Sequence, residues 1–171
     1  PDARLENARA LFDGWDYQQH MDSAAGALFE TFWKHLLTPA FADDLPEKYW
    51  PGGSSRWFEV VRRLSADPAS PWWDDQTTPA LESRDDIFLR AFTAAVAELE
   101  ASHWKDPAKW AWGDLHTLTL TQQPLGKSGV GPIEALFNRG PFRTSGGSSI
   151  VNATGWNAQK NQRDFSENKF P

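Results

Sequence analysis

Four histidines are the first residues to weigh for chemistry: His20, His35, His103 and His116. Imidazole titrates near neutral pH and ligates metals, so paired His at helical spacing marks zinc and proton-transfer sites. None of the four stands in H-x-x-x-H or H-E-x-x-H spacing, so no metal-ligand motif is present. His116 follows Trp110, Trp112 and Gly113 and opens an alternating segment. The expectation there is a buried imidazole bonded to backbone, not a general base.

Carboxylates come in pairs: Asp13 with Asp16, then Asp43-Asp44, Asp74-Asp75 and Asp85-Asp86. Neighbouring Asp side chains diverge, and such pairs cap helices or face water. The D-x-[DN]-x-[DN]-G calcium pattern is absent. A glycosidase needs two carboxyls across a sugar bond, which linear spacing does not reveal. No G-x-S-x-G elbow supplies a serine nucleophile. Ser128-Gly129 and Ser145-Gly146-Gly147-Ser148-Ser149 read as Gly/Ser loops. Gly126-Lys127-Ser128 has the end of a phosphate-binding loop, but Thr121 stands where its first Gly belongs. Asn152-Ala153-Thr154 fits the glycosylation sequon. There is no Cys, which excludes disulfides, thiolate metal sites and cysteine nucleophiles and suits a periplasmic or secreted bacterial protein.

The chain must position whatever chemistry it has with 171 residues, about one ordinary domain. Hydrophobic residues at 40% can build a core, and charged residues at 23% argue against a disordered chain. Net charge is −6, and the basic residues are scattered, so nucleic acid is not the expected partner. The longest nearly uncharged run, Thr117 to Pro132, is rich in Gly, Gln and Thr and is no membrane span. Ten Trp are the outlier. They could form a sugar-stacking surface or a rigid core, and most sit inside amphipathic patterns, which points to the core.

Hydrophobic periodicity predicts a helix over residues 2–13, with Leu5, Ala8, Leu11 and Phe12 on one face and Gly14 ending it. Asp22-Ser23 caps a second helix over 23–37, whose wide apolar stripe implies several neighbours and which Thr38-Pro39 stops. A third is expected over 54–65, with Trp57, Val60, Val61 and Leu64 inward. Residues 66–82, rich in Pro and carrying Trp72-Trp73, read as a packed irregular loop. The clearest helix runs over 83–103 from a Ser83-x-x-Asp86 signature, and a short one starts at Asp106-Pro107 and ends at Gly113. His116 to Thr121 alternates as a strand, Ser149 to Ala153 is a second strand candidate, and Ile133 to Phe137 is an apolar insert between them. The fold class expected is mainly α with a small β portion: a helical region over 1–113 and a strand and loop region over 114–171, forming one structural unit. The polar opening Pro1-Asp2-Ala3-Arg4 is unlike a signal peptide, and the tail from Asn157 to Pro171 has no closing element. A segment cut from a longer chain is therefore expected.

Several passages carry a resemblance. Ala8 to Asp16, with Trp15-Asp16 after a helix, is followed by Asp22-Ser23-Ala24-Ala25 and Leu28-Phe29. Next come Trp110-Ala111-Trp112-Gly113 with His116, Gln123-Pro124-Leu125-Gly126, Phe137-Asn138-Arg139-Gly140-Pro141, and Gly146-Gly147 leading to Val151-Asn152-Ala153. In this order they resemble the β-chain of penicillin acylase family enzymes. Two departures are Gln123, where many members have His, and Ser148 or Ser149, where Asp is frequent.

The resemblance implies an N-terminal nucleophile hydrolase. In that family a precursor cleaves itself and frees a Ser whose own α-amino group acts as base. An acyl-enzyme then forms from an amide such as a β-lactam side chain or an acyl-homoserine lactone. The nucleophile, the oxyanion-hole Asn and the calcium ligands lie earlier in the β-chain than the passages matched, and Pro1 carries no hydroxyl. No catalytic residue, metal ligand or cofactor is therefore carried over to this chain, and any calcium would sit outside it. The expected partners are the remaining α- and β-chain segments and a small acyl amide, in a periplasmic or secreted parent. The chain is expected to be a structural segment, inactive alone, whose helices help wall the acyl pocket. The alternative is a stand-alone Trp-rich module for carbohydrate or peptide, with several Trp exposed on one face.

Overall fold

The computed structural model describes residues 2–159, apart from 103 and 149. Among the described residues the chain is mainly helical, with a single two-stranded sheet. Helix α1 (Ala3–Arg9) starts at Asp2, whose side chain accepts from the Arg4 amide, and tightens into a 3-10 turn over Ala10–Phe12. Gly14 follows at φ +78°, the left-handed geometry expected of it.

Helix α2 (Ala24–Phe41) is capped by Ser23, whose hydroxyl accepts from the Gly26 amide. It does not stop at Thr38-Pro39 as the sequence suggests: Pro39 lies inside it. A proline near a helix end removes one backbone donor, and the burial of Ala40 and Phe41 beyond it offsets that loss. Helix α3 (Ser55–Leu64) buries Val61 and packs Trp57, Val60 and Leu64 against the core.

Residues between α3 and the next helix form the irregular packed segment expected, with Trp73 wholly buried in a 3-10 turn over Pro71–Trp73. Its indole N–H donates to the Asp67 carbonyl at 2.9 Å. Helix α4 (Arg84–Ser102) opens on the predicted capping box: the Ser83 amide donates to Asp86 Oδ2 at 2.9 Å, and the Asp86 amide donates back to Ser83 Oγ at 3.4 Å. Helices α2 and α4 pack along their length and form the centre of the core, through Leu28, Leu36, Ile87, Ala91, Ala95 and Leu99 among others.

The chain then makes a 3-10 turn over Pro107–Lys109 and a short helix α5 (Trp112–Leu115). Gly113 lies inside α5, so it does not end a helix as predicted. It is Gly for room: a Cβ there would meet the Cβ of Met21 at 2.7 Å and that of Arg143 at 3.0 Å. Strand β1 (Thr117–Leu120) matches the alternating segment, and it pairs antiparallel with β2 (Arg139–Arg143). Helix α6 (Gly131–Phe137) is the apolar insert between them.

The second strand expected at 149–153 is not found among its described residues. Instead, the Asn152 carbonyl accepts from the amides of both Gly147 and Thr154, which folds this stretch into local turns. Of the ten Trp, Trp33, Trp73, Trp110, Trp112 and Trp156 are buried, and Trp72 and Trp104 are exposed. The core assignment of the Trp excess thus holds for five of the ten, and three more are half-buried.

Candidate functional site

The passages that carried the resemblance converge in space. Ser23 caps α2, and its carbonyl accepts from the Trp112 amide at 3.1 Å, while the Met21 carbonyl accepts from the Gly113 amide at 2.7 Å. The Trp112 indole donates to the Gly146 carbonyl at 2.8 Å and stacks on the His116 imidazole at 4.6 Å between centroids, nearly parallel. His116 is buried, with Nε2 at 2.7 Å from the Thr154 carbonyl oxygen and Nδ1 at 3.3 Å from that of Thr144. It is the backbone-bonded imidazole that its position suggested. Ser145 Oγ accepts from the Met21 amide, and Asn138 bridges Gln122 and Gly126 through both ends of its amide. These polar groups therefore hold loops in place.

The remaining candidates are dispersed. His20 is exposed, His35 Nε2 lies 2.7 Å from Glu98 Oε2, and His103 falls outside the described residues. Gln123 is exposed. The Asp pairs mostly bind backbone amides: Asp16 accepts from Gln18, Asp43 from Gln76, and Asp74 from Glu82. Asp44 is held above its ordinary value by burial and by the nearby charges of Asp43 and Asp74. Asp75 and Glu82 instead clasp Arg90. Burial alone would raise Asp75, but hydrogen bonds from Thr77 and from Arg90 outweigh it and lower the carboxyl. Glu82 is lowered first by the Thr78 hydroxyl and then, against burial, by Arg90. Among the described residues, no three His, Asp or Glu side chains cluster to hold a metal ion.

Beside the converged motifs lies a groove of about 810 Å³ that the sequence did not disclose. Its walls are Phe12, Phe29, Phe32, Phe58, Phe88 and Phe92, from α2, α3, α4 and the turn after α1, with Trp15 and the exposed Tyr17 beside them. The rings contact one another: Phe32 meets Phe88 edge-on at 5.6 Å, and Phe29 stacks on Phe58 at 6.3 Å. Four polar residues also line it, namely Arg9, Gln19, Glu30 and Ser148.

Glu30 is only 3% exposed. Its Oε1 accepts from Gln19 Nε2 at 3.1 Å and its Oε2 from the Trp156 indole at 2.9 Å. It ties α2 to the segment before it and to a loop far along the chain, which fixes the groove's shape. The signal in the sequence was slight: Glu30 is the lone carboxylate of a helix buried on most of its circumference. Size and lining suit an extended apolar or aromatic group, held by contact and not by bond-making.

Fold and groove together define a helical scaffold with an apolar, mainly aromatic groove. The chain belongs to the penicillin amidase family, with a match that spans residues 1–170. It is 30% identical over 167 residues to the acyl-homoserine lactone acylase QuiP of Pseudomonas syringae pv. syringae (strain B728a), a match covering 91% of this chain and 20% of that protein. The enzyme of the same name from Pseudomonas aeruginosa is 29% identical over 179 residues, covering 91% of this chain and 21% of its own length. The chain thus spans about a fifth of the curated relatives it matches. Among the described residues no helix is long and apolar enough to cross a membrane.

Proposed function

We propose that this chain is a scaffold segment of an amidohydrolase, and that its aromatic groove supplies an apolar wall for the acyl part of the substrate. The parent enzyme would hydrolyse an acyl amide, of which an acyl-homoserine lactone is the example in the relatives' name. It would do so through an N-terminal Ser outside this segment, with any calcium also outside, in the periplasm or secreted. The observation that carries the reading is the groove itself: about 810 Å³ of mainly Phe surface beside motifs whose polar groups are spent on backbone. A wall of this kind discriminates chain length by contact area, at about 0.8 kcal/mol per methylene buried.

The isolated 171-residue chain should not hydrolyse chromogenic phenylacetyl or longer acyl amides. Turnover that a serine-directed reagent abolishes would sink the reading. In the parent enzyme, Leu89→Trp should fill the groove from an exposed position and shift acyl preference toward shorter chains through KM, with kcat little changed. An unchanged preference would remove the groove from substrate binding. A carbohydrate-binding module is disfavoured because Trp72 and Trp104 alone of the ten Trp are exposed, and strong acrylamide quenching of the whole Trp emission would revive it.

A further inference from the structure

Tyr17 holds a conformation that its own packing does not explain. Its backbone sits at φ +60°, in the left-handed region that a bulky side chain rarely enters. The turn enforces this: Asp16 Oδ1 accepts from the Gln18 amide at 3.0 Å, and the Trp15 indole donates to the Gln18 carbonyl at 3.2 Å. Tyr17 is nevertheless 80% exposed, so burial offsets little of the strain. Its ring lies 5.3 Å from that of Trp15, which meets Phe29 at 5.7 Å, and so extends the groove's aromatic wall outward.

The groove has two unlike sides. Gln19, Glu30 and Ser148 line it together: Gln19 Nε2 donates to Glu30 Oε1 at 3.1 Å, and a Cβ on Gly147, next to Ser148, would lie 3.2 Å from that oxygen and 3.9 Å from Gln19 Cγ. Tyr17 stands two residues from Gln19 on this polar side. The fourth polar residue, Arg9, is turned to Glu6 and Asp13 at 3.2 and 3.6 Å. Phe88, Leu89 and Phe92 of α4 form the apolar side, where Phe32 meets both Phe rings.

Resting on the acyl-wall reading above, we propose that the acyl group lies across the groove with its carbonyl end at Tyr17 and its tip against Leu89, which makes Tyr17 a substrate-contact residue. The apolar tip gains most where no polar group has to be desolvated, and the amide end keeps its hydrogen bonds on the polar, wet side. A phenol suits that border, because its ring packs on apolar surface while its hydroxyl stays in water. The ring therefore touches the part of the acyl group beside the carbonyl, which short and long chains share.

Kinetics and stability of the full-length parent, with a series of straight-chain acyl amides, test this. Tyr17→Gly should raise KM about tenfold, by a similar factor at every chain length and with less effect on kcat. Tyr17→Phe should restore the wild-type KM. Gly adopts φ +60° without strain, so Tyr17→Gly should not lower the parent's melting temperature. A lowered melting temperature with unchanged KM would overturn the proposal, because Tyr17 would then be a packing residue. A rise in KM confined to long chains would also overturn it, by placing the tip at Tyr17 instead of the carbonyl end. Leu89→Trp in the same series separates this inference from the reading beneath it. If Leu89→Trp shifts the length preference and Tyr17→Gly leaves KM unchanged, the orientation falls and the acyl wall stands. If neither variant alters KM at any length, the acyl wall falls with it.

Discussion

Residues 24–102 bury or half-bury most of their large apolar side chains, and residues 117–143 display most of theirs. In the first stretch, Leu28, Leu36, Trp73, Ile87 and Leu99 are all at or near full burial. In the second, Leu120, Val130, Leu136 and Phe142 stand in the open. Apart from the groove, the helical body closes its apolar surface with its own helices, because α2 and α4 are long enough to bury stripes against each other and α3 stacks Phe58 on Trp33 of α2. The elements of residues 117–143 are too short to close over their own apolar side chains, which stay exposed.

The largest effect that would test this contrast is a truncation in the body. Trp73→Ala should cost about 3–5 kcal/mol in urea unfolding, as expected for emptying a large buried site. A loss below about 1 kcal/mol would show that the body is not one tightly packed core. An intermediate effect comes from the Arg90 clasp. The folded Asp75 and Glu82 carboxyls lie below their ordinary values of 3.8 and 4.5, so the unfolded chain binds protons more tightly. Their stabilisation is fully present above those ordinary values and is lost as pH falls through the lowered folded ones. Arg90→Gln should therefore lower the melting temperature at neutral pH, and the gap to the wild type should shrink in acid. A gap that widens in acid would reverse the assignment. The smallest effect belongs to residues 117–143: Leu136→Ser in the isolated chain should change stability by no more than about 0.5 kcal/mol. A cost near that of Trp73→Ala would erase the distinction between the regions.

Local signals in the sequence predicted local structure well. Ser23 and the Ser83–Asp86 pair act through neighbours three residues away, and both caps form as written. The end of α2 was not legible, because whether a helix runs on past Pro39 depends on what Ala40 and Phe41 bury. Strand β2 was hidden for a similar reason: Arg139-Gly140-Pro141-Phe142-Arg143 has no strand-like alternation, and its pairing with β1 is decided across an intervening helix. His116 was legible in character, though not in partners, since Thr144 and Thr154 come from loops. The groove was the least legible feature. Its Phe residues read as ordinary core positions of separate helices, and only their meeting leaves space between them.

Gly113 sets a rule for recombining this chain with its relatives. Three distant stretches touch there: residue 113, Met21 before α2 and Arg143 at the end of β2, with too little space for even a methyl group. A chimera that exchanged everything after Gly113 would bring a foreign partner for position 143 against a native Met21. The three positions form one heritable unit despite their separation along the chain, and crossovers that keep them together should give folded hybrids where those that part them do not.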